Sequence, residues 1–584
     1  MKKLLLSLCT LLSFSSFLSG QELLIPFEQS NGKETATYEE AIAFYQQLDD
    51  QYAQVRMVEA GISDAGKPIH LVLISREGLS SPVELGDRLF LLINNAIHPG
   101  EPCGVDASMM LARDLVRDPE MKAYLDHVVI GIIPAYNIGG MLNRGCCSRA
   151  NQDGPAAYGF RGNARNYDLN RDFIKADTRN AKSFAEIFHR WLPDLFVDTH
   201  TTNGADYQAD LTLIPTQQDK LQPDVAAYMQ ENLVPGLIEQ MGNMNIPVCP
   251  YVNSVGRTPD QGIADFLDLP RYSSGYAALF QTMSFITEAH MLKAFDARVR
   301  ATYVFLALLI QKANQDYERI TSLVDAARRF DQEAEDFPVR WVLDKNDTTH
   351  LLFAGYEATY LESELTGGQR LFYDRSKPYK KYIPFYQHYL PTDFVSVPEA
   401  YIIPQAYTEV IAQLKRNGVL MESLNEDIRL EVEVSYMDEV KSMGRPYEGH
   451  FYHTEVNPRL DTQAIQFYAG DQVIWMDQIR NRFISHVLEP VAQDSYFRWN
   501  YFDGVLMRKE YFSPYVFEDA AVEMLGENPG LREAFEEKKA TDSTFVKNPY
   551  AQLNFIYQRS PYAEPTYLRY PVARWWGKRN LPTR

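Results

Sequence analysis

The sequence predicts an α/β fold, a mixed, mostly parallel sheet flanked by helices, followed by a β-rich C-terminal region. Three observations predict it. Short, wholly apolar runs in the N-terminal half alternate with stretches whose apolar residues recur at helical spacing, the pattern of a layered α/β unit. After about Ala326, tyrosine and phenylalanine become dense and apolar residues alternate with polar ones, the mark of half-exposed strands. Histidine and glutamate stand at the ends of several apolar runs, where open α/β sheets collect function.

Taken in order, Tyr38 to about Tyr52 has helical periodicity, and Gly66-Lys67-Pro68 turns into a predicted strand from Ile69 to Ile74. A strand is predicted from Leu89 to Ile97, a helix from Val105 to Val116, a strand from Val128 to Ile133 and a helix from Ala181 to Trp191. Leu195 to Val197, Leu211 to Ile214 and Phe285 to Thr287 add strands, and a long Ala/Leu-rich helix covers about Ala297 to Tyr317. In the second half, Leu430 to Val434, Phe451 to His453, Ile465 to Phe467 and Val473 to Trp475 read as strands. One helical interval, Ala406 to Arg416, closes on Asn417-Gly418. The resulting organisation is a leader over residues 1–20, a catalytic unit over 21–327 and a β-rich region over 328–584. His450 and His453 in that last region lack an acidic partner at recognisable spacing and read as ordinary surface or strand histidines.

At 584 residues the chain exceeds a single core. Lys2-Lys3 precede a Leu/Ser/Phe-rich run that ends in Ser19-Gly20, the layout of a cleaved secretory signal. The protein is therefore expected to be exported, periplasmic or secreted. No later segment approaches the ~20 apolar residues of a membrane span. Cleavage removes two lysines and no acid, taking the formal charge from −20 to −22. With no compensating basic cluster, such a surface repels nucleic acid and anionic membranes. Cys103, Cys146, Cys147 and Cys249 remain. Export permits disulfides, but four cysteines in so long a chain are no disulfide scaffold, and the neighbours Cys146 and Cys147 are expected to pair elsewhere rather than with each other. Cys103, two residues past Glu101, reads as a small buried residue. The oligomeric state is left open.

The chemistry concentrates at His98-Pro99-Gly100-Glu101 and at His200, each following an apolar run. Two imidazoles and a carboxylate leave one position of a tetrahedral zinc open for water, the arrangement of a catalytic site. Glu288 ends a third apolar run, where burial of a carboxylate is costly unless it is paired or working. These fragments, with Asp168-Leu169-Asn170-Arg171-Asp172-Phe173, Asp198-Thr199-His200 and Phe285-Ile286-Thr287-Glu288, resemble in order the zinc carboxypeptidase family, the carboxypeptidase A-like metallopeptidases. The resemblance covers about Tyr38 to Tyr317.

The resemblance implies one zinc ion held by His98, Glu101 and His200, with Glu288 as general base. It implies that Asn170 and Arg171 hold the free C-terminal carboxylate of a peptide substrate. A guanidinium fork matches a carboxylate in two hydrogen bonds, so that role has a physical basis. A further arginine should polarise the scissile carbonyl. Arg161 matches by spacing, with Arg144, Arg149 and Arg165 competing. A mobile tyrosine should close over the substrate carboxylate, Tyr272 or Tyr276, with the glycine between them as hinge. Leu279, Phe280, Gln281 and Met283 are expected to line the pocket for the terminal side chain, favouring an apolar or neutral residue. The expected activity is that of a secreted zinc metallocarboxypeptidase. The alternatives are a zinc amidase or peptidase acting on cell-wall stem peptides or acylated amino acids, and a non-catalytic peptide- or glycan-binding module.

Overall fold

A computed structural model describes residues 23–584, and the leader read over residues 1–20 lies outside the described residues. The N-terminal half is built on an eight-stranded sheet in the order β1-β2-β4-β3-β5-β10-β6-β7. Its strands are β1 (Val55–Ile62), β2 (Pro68–Ile74), β3 (Leu89–Asn94), β4 (Val128–Ile133), β5 (Leu195–Thr202), β6 (Leu211–Pro215) and β7 (Val248–Pro250). After two short strands outside it, β8 (Asn253–Ser254) and β9 (Ile263–Ala264), comes β10 (Met283–His290). β4, β3, β5 and β10 run parallel at the centre, whereas β1, β2 and β6 pair antiparallel. Every residue of β3, β4 and β5 is buried, as expected of parallel strands covered on both faces.

Alternation along β5 sorts the flanking helices. Phe196, Asp198 and His200 share one face, and Val197, Thr199 and Thr201 the other. Helix Arg179–Trp191 places Phe184 against Phe196 on the first face. Helices Cys103–Arg117 and Phe295–Gln315 cover the second, with Phe305 edge-on to Phe285. Helix Cys103–Arg117 approaches so closely that a β-carbon on Gly104 would overlap the Thr199 side chain. Gly104→Ala is therefore expected to destabilise by about 1–3 kcal/mol despite alanine's better helix propensity. That is a melting temperature lower by roughly several degrees, read by calorimetry. An unchanged or raised melting temperature would contradict this packing.

In the N-terminal sheet, β3 and β1 depart from the sequence-based expectation. β3 ends at Asn94 rather than running to Ile97, because Ala96 takes a left-handed φ of 57° and turns the chain toward His98. β1 was not predicted. It pairs antiparallel with β2 across the Ser63–Lys67 turn.

The second half holds β11 (Asp336–Leu343), β12 (Thr349–Glu362), β13 (Gln369–Tyr386), β14 (Tyr389–Ser396) and β15 (Ala400–Ile403). These are followed by β16 (Glu422–Ser423), β17 (Ile428–Ser442), β18 (His453–Phe467), β19 (Gln472–Trp475) and β20 (Ala573–Trp575). A six-stranded sheet, β16-β19-β15-β20-β17-β18, closes over Val432, Val434, Trp475 and Trp575. The long β12–β13 hairpin is continued by β9 and β8, so the two halves share a sheet. Helix Tyr317–Glu333 runs through position 327 without a break.

The β-rich region also contains a helical unit that the sequence reading passed over. Helices Pro514–Glu527, Pro529–Thr541, Ser543–Val546 and Pro549–Tyr557 pack on a small core of Phe517, Phe535 and Phe545. Proline at the first helical position starts three of them, and Asn528, Asp542 and Asn548 cap the last three through side-chain hydrogen bonds.

Candidate active site

The sheet order reverses at β3, because the chain leaves β3 for β4 on one side and reaches β5 on the other. Loops leaving the carboxyl ends there diverge and open a crevice. His98 and Glu101 lie on the loop after β3, and His200 near the end of β5. Glu288 on β10 is the parallel register partner of His200. All four residues line one cavity of about 580 Å³.

His98, Glu101 and His200 are 2%, 3% and 2% exposed, and one ligand atom from each lies within 4.8 Å of the others. His98 Nδ1 is 3.3 Å from Glu101 Oε1, and His200 Nδ1 is 3.1 Å from Glu101 Oε2. The opposite ring nitrogens are taken by carboxylates. His98 Nε2 lies 2.8 Å from Asp168 Oδ1, and His200 Nε2 lies 3.1 Å from Asp198 Oδ2. Carboxylates on the outer nitrogens turn both Nδ1 atoms inward, as in carboxylate–histidine–metal arrangements. Two imidazole nitrogens and a carboxylate, buried and oriented this way, fit a zinc ion. Among the described residues no other group of histidine, cysteine, aspartate and glutamate converges in this manner.

Asp168 and Asp198 were not singled out from sequence for these roles. Asp198 was legible in principle, since it stands two residues before His200 on the same face of a strand. Burial opposes the charge of Asp168, but His98, Arg161 and Arg171 outweigh it and hold the carboxyl well below the usual range. Glu288 behaves in the opposite way. Burial, and next among the raising causes the negative charge of Glu101, push its carboxyl up to about 7 against the lowering effect of His200 and His98.

Arg161 and Arg149 both reach the ligand set. Arg161 donates through Nε and Nη2 to Asp168 Oδ2 (3.0 and 2.8 Å), and its Nη1 lies 3.3 Å from His98 Nδ1. Arg149 donates to Glu101 Oε1 at 2.6 Å and to the Thr201 carbonyl at 3.2 Å. The geometry thus adds Arg149 beside Arg161 without removing the latter. Arg144 is engaged elsewhere, with the carbonyls of Thr35 and Ala36, and Arg165 stacks on Tyr167.

Asn170 and Arg171 line the same cavity. The Asn170 carboxamide oxygen is buried with no partner. The nearest carboxylate to the Arg171 guanidinium is Asp168, at 3.8 Å. Asp172 is occupied by the fully buried Lys175, at 2.6 Å, and does not pair with Arg171, whose Nη1 donates to the Asn170 carbonyl at 2.8 Å.

Tyr272 and Tyr276 separate cleanly. The Tyr272 ring lines the cavity, with the Arg171 guanidinium 4.6 Å from its centre and Phe266 edge-on at 5.2 Å. Tyr276 does not enter the site. It is 1% exposed in the core, and its hydroxyl donates to Asn417 Oδ1 at 2.6 Å. One helical turn, Ser273–Ala278, rotates it inward. Gly275 is no hinge either. It lies inside that helix, where a β-carbon would overlap the Asp268 and Leu269 carbonyls.

The expected pocket wall is corrected as well. Leu279, Phe280, Gln281 and Met283 are buried core residues away from the cavity. The apolar wall comes instead from Ile214, Tyr251, Phe266 and Ile286. Ile286 shares the face of Glu288 and pairs with Ile214 on β6, a cross-strand neighbour that sequence spacing does not reveal.

Contrary to expectation, Cys146 and Cys147 are joined to each other. Both stand on an exposed loop leading to Arg149, while Cys103 and Cys249 are held free elsewhere, Cys103 buried against Thr201. His450 and His453 do have acidic partners, Asp177 at 2.8 Å and Asp503 at 2.9 Å, far away in sequence.

Residues 41–203 match the zinc carboxypeptidase family. They form a zinc carboxypeptidase domain. The chain is similar to Carboxypeptidase 2 of Trichophyton tonsurans, at 20% identity over 457 residues (74% of this chain, 78% of that one). Carboxypeptidase 2 of Trichophyton rubrum is likewise 20% identical over 489 residues (80% and 84%). Among solved structures, a metallo-carboxypeptidase from Pseudomonas aeruginosa is 16% identical with a TM-score of 0.37, covering 49% of this chain and 70% of that one. One from Burkholderia cenocepacia is 18% identical with a TM-score of 0.36, covering 48% and 70%. The candidate metal ligands His98, Glu101 and His200 all fall inside the matched span, whereas Tyr272 and Glu288 lie beyond it. No helix among the described residues is long and apolar enough to cross a membrane.

Proposed function

We propose that the protein is an exported zinc carboxypeptidase that removes apolar C-terminal residues from peptides. The observation that carries this reading is the juxtaposition, in one cavity, of the Arg171 guanidinium, which no carboxylate among the described residues approaches closer than 3.8 Å, and Asn170 with the His98–Glu101–His200 set and Glu288. Arg171 and Asn170 receive the substrate's terminal carboxylate, and Tyr272, whose ring lies against the Arg171 guanidinium, covers it. An internal peptide bond offers no such anion, so the pair selects exopeptidase cleavage. Ile214, Tyr251, Phe266 and Ile286 receive the terminal side chain and favour an apolar or aromatic one.

His98, Glu101 and His200 would hold one zinc ion, which when bound supplies a Lewis acid for the scissile carbonyl and lowers the pKa of water. Arg161 donates to the developing oxyanion, with Arg149 steadying Glu101. Glu288 takes the proton of the attacking water and delivers it to the departing amine nitrogen, as its raised pKa suits it to do. The leader over residues 1–20 directs export.

The test is a mixture of peptides with free or amidated C-termini, followed by mass spectrometry. Stepwise release of apolar C-terminal residues from free peptides alone is expected. Equal cleavage of amidated peptides, or cleavage confined to cell-wall stem peptides, would overturn the reading. Arg171→Met removes hydrogen bonds to a charged group worth about 1.5–3 kcal/mol each. It is expected to lower kcat/KM on free-carboxylate peptides roughly 10–100-fold, chiefly through KM.

A further inference from the structure

We propose that the C-terminal region is a positioning frame for the carboxylate clamp, holding the segments that carry Asn170–Arg171 and Tyr272 in their closed arrangement before substrate arrives. The inference rests on the roles proposed above for Asn170, Arg171 and Tyr272.

Each segment is gripped separately. In the first, Glu448 Oε2 accepts the Asp168 backbone N–H at 2.9 Å, one turn from Arg171. His450 Nε2 lies 2.8 Å from Asp177 Oδ2. Gln413 Nε2 donates to the Lys175 and Ala176 carbonyls at 2.9 Å, and the Tyr501 hydroxyl donates to the Lys175 carbonyl at 2.5 Å. The backbone on both sides of Lys175 is thus tied to residues more than two hundred positions away.

In the second segment, Arg271 precedes Tyr272 and is locked to Asp494. Its backbone N–H donates at 3.0 Å, and its Nε and Nη2 donate at 3.0 and 2.5 Å to the same carboxylate. Asp494 is wholly buried, and the Arg271 guanidinium sits 4.8–5.4 Å from the ring centres of Tyr447, Tyr452 and Trp499. A buried pair of this kind resists breaking because either ion left alone is uncompensated. Cation–π contact adds to the hold.

Both acids take left-handed backbone, Glu448 at φ 47° and Asp494 at φ 66°. Such conformations cost energy in residues other than glycine and persist where the surroundings over-determine them. Both of these residues reach the segments that carry the clamp. A tyrosine loop held this way cannot swing, so the ordering cost of closing it falls on folding rather than on substrate binding.

The test uses the full-length, zinc-loaded protein. Asp494→Asn keeps shape and acceptor but removes the charge, Glu448→Ala removes the second grip, and Glu448→Gln retains an acceptor for Asp168. In Asp494→Asn, amide hydrogen exchange over residues 265–279 is expected to accelerate about 10-fold or more. KM for a free-carboxylate peptide should rise roughly 5–20-fold with kcat held within about 3-fold. Glu448→Ala should do the same over residues 166–178, and Glu448→Gln should restore both readings. Unchanged exchange in a folded variant, or faster exchange with KM unmoved, overturns the proposal. Should Asp494→Asn fail to fold, the Glu448 pair decides alone. Exchange is read without substrate, so loss of the grip is distinguishable from failure of the carboxypeptidase reading, which would show as absent turnover in the unmodified protein.

Discussion

Glu288→Gln is expected to lower kcat about 10²–10⁴-fold, the range for removal of a positioned general acid–base group, while zinc content is unchanged. Glutamine keeps the size and the hydrogen-bonding reach of glutamate but cannot carry the proton from water to the amine. Glu288 is the register partner of His200 on the neighbouring strand and faces the same cavity, yet it stands outside the group of three that converges on one point. Its carboxyl sits near 7 chiefly because it is buried and next because Glu101 is negative, so the side chain can hold or release a proton at neutral pH. Steady-state kinetics on a free-carboxylate peptide, paired with metal analysis of the same sample, separates the two effects. A kcat within about 10-fold of the unmodified enzyme would remove Glu288 from the mechanism. Loss of zinc would instead move it into the ligand set.

Removing a zinc ligand should act on both metal and stability. His200→Ala leaves two donors, and it strips Glu101 Oε2 of the imidazole 3.1 Å away and Asp198 of its partner. Both carboxylates are buried; Glu101 keeps Arg149 and the Thr201 N–H, whereas Asp198 keeps, among the described residues, only the Asn94 amide at 3.1 Å. Bound zinc is expected to fall from one ion per chain to a trace after dialysis, and turnover to fall with it. A thermal-shift titration gives the independent reading. Zinc at about 100 times its Kd stabilises a protein that binds it only when folded by about 2.7 kcal/mol. The unmodified protein should therefore melt higher with zinc than after chelation, and His200→Ala should melt at one temperature in both. A variant that retains zinc and its zinc-dependent shift would show that the ion lies elsewhere.

Much of the site was legible before any coordinates because it is built at the ends of buried strands. Continuous apolar runs mark β3, β5 and β10, and a polar residue that ends such a run stands out. His98, His200 and Glu288 share that signature, and Glu101 follows His98 at a spacing that one loop can bring together. The flanking helices were legible for the same reason, since helical periodicity in a covered α/β layer is strong. What escaped were contacts made across the chain. Arg149 stands 48 positions from Glu101 but bonds it directly. Ile214 meets Ile286 only because β6 runs antiparallel beside β10. Tyr272 and Tyr276 looked equivalent four residues apart, but one ends a loop at the cavity and the other begins the buried face of a helix. The helical unit over residues 514–557 was overlooked although its proline starts and asparagine caps were on view, because the aromatic density around it resembled the strands before it.

Local pattern alone therefore marked the buried strands and the polar residues that end them, and the family resemblance supplied the expected zinc donors and proton carrier. The first depends on hydrophobic period, the second on short motifs met in a fixed order. Only the folded chain decided which tyrosine faces the cavity, which aspartates turn the imidazoles, what lines the apolar wall and how the second half bears on the first. Those depend on strand register and on ion pairs closed between distant segments, and neither leaves a periodic trace in the order of residues.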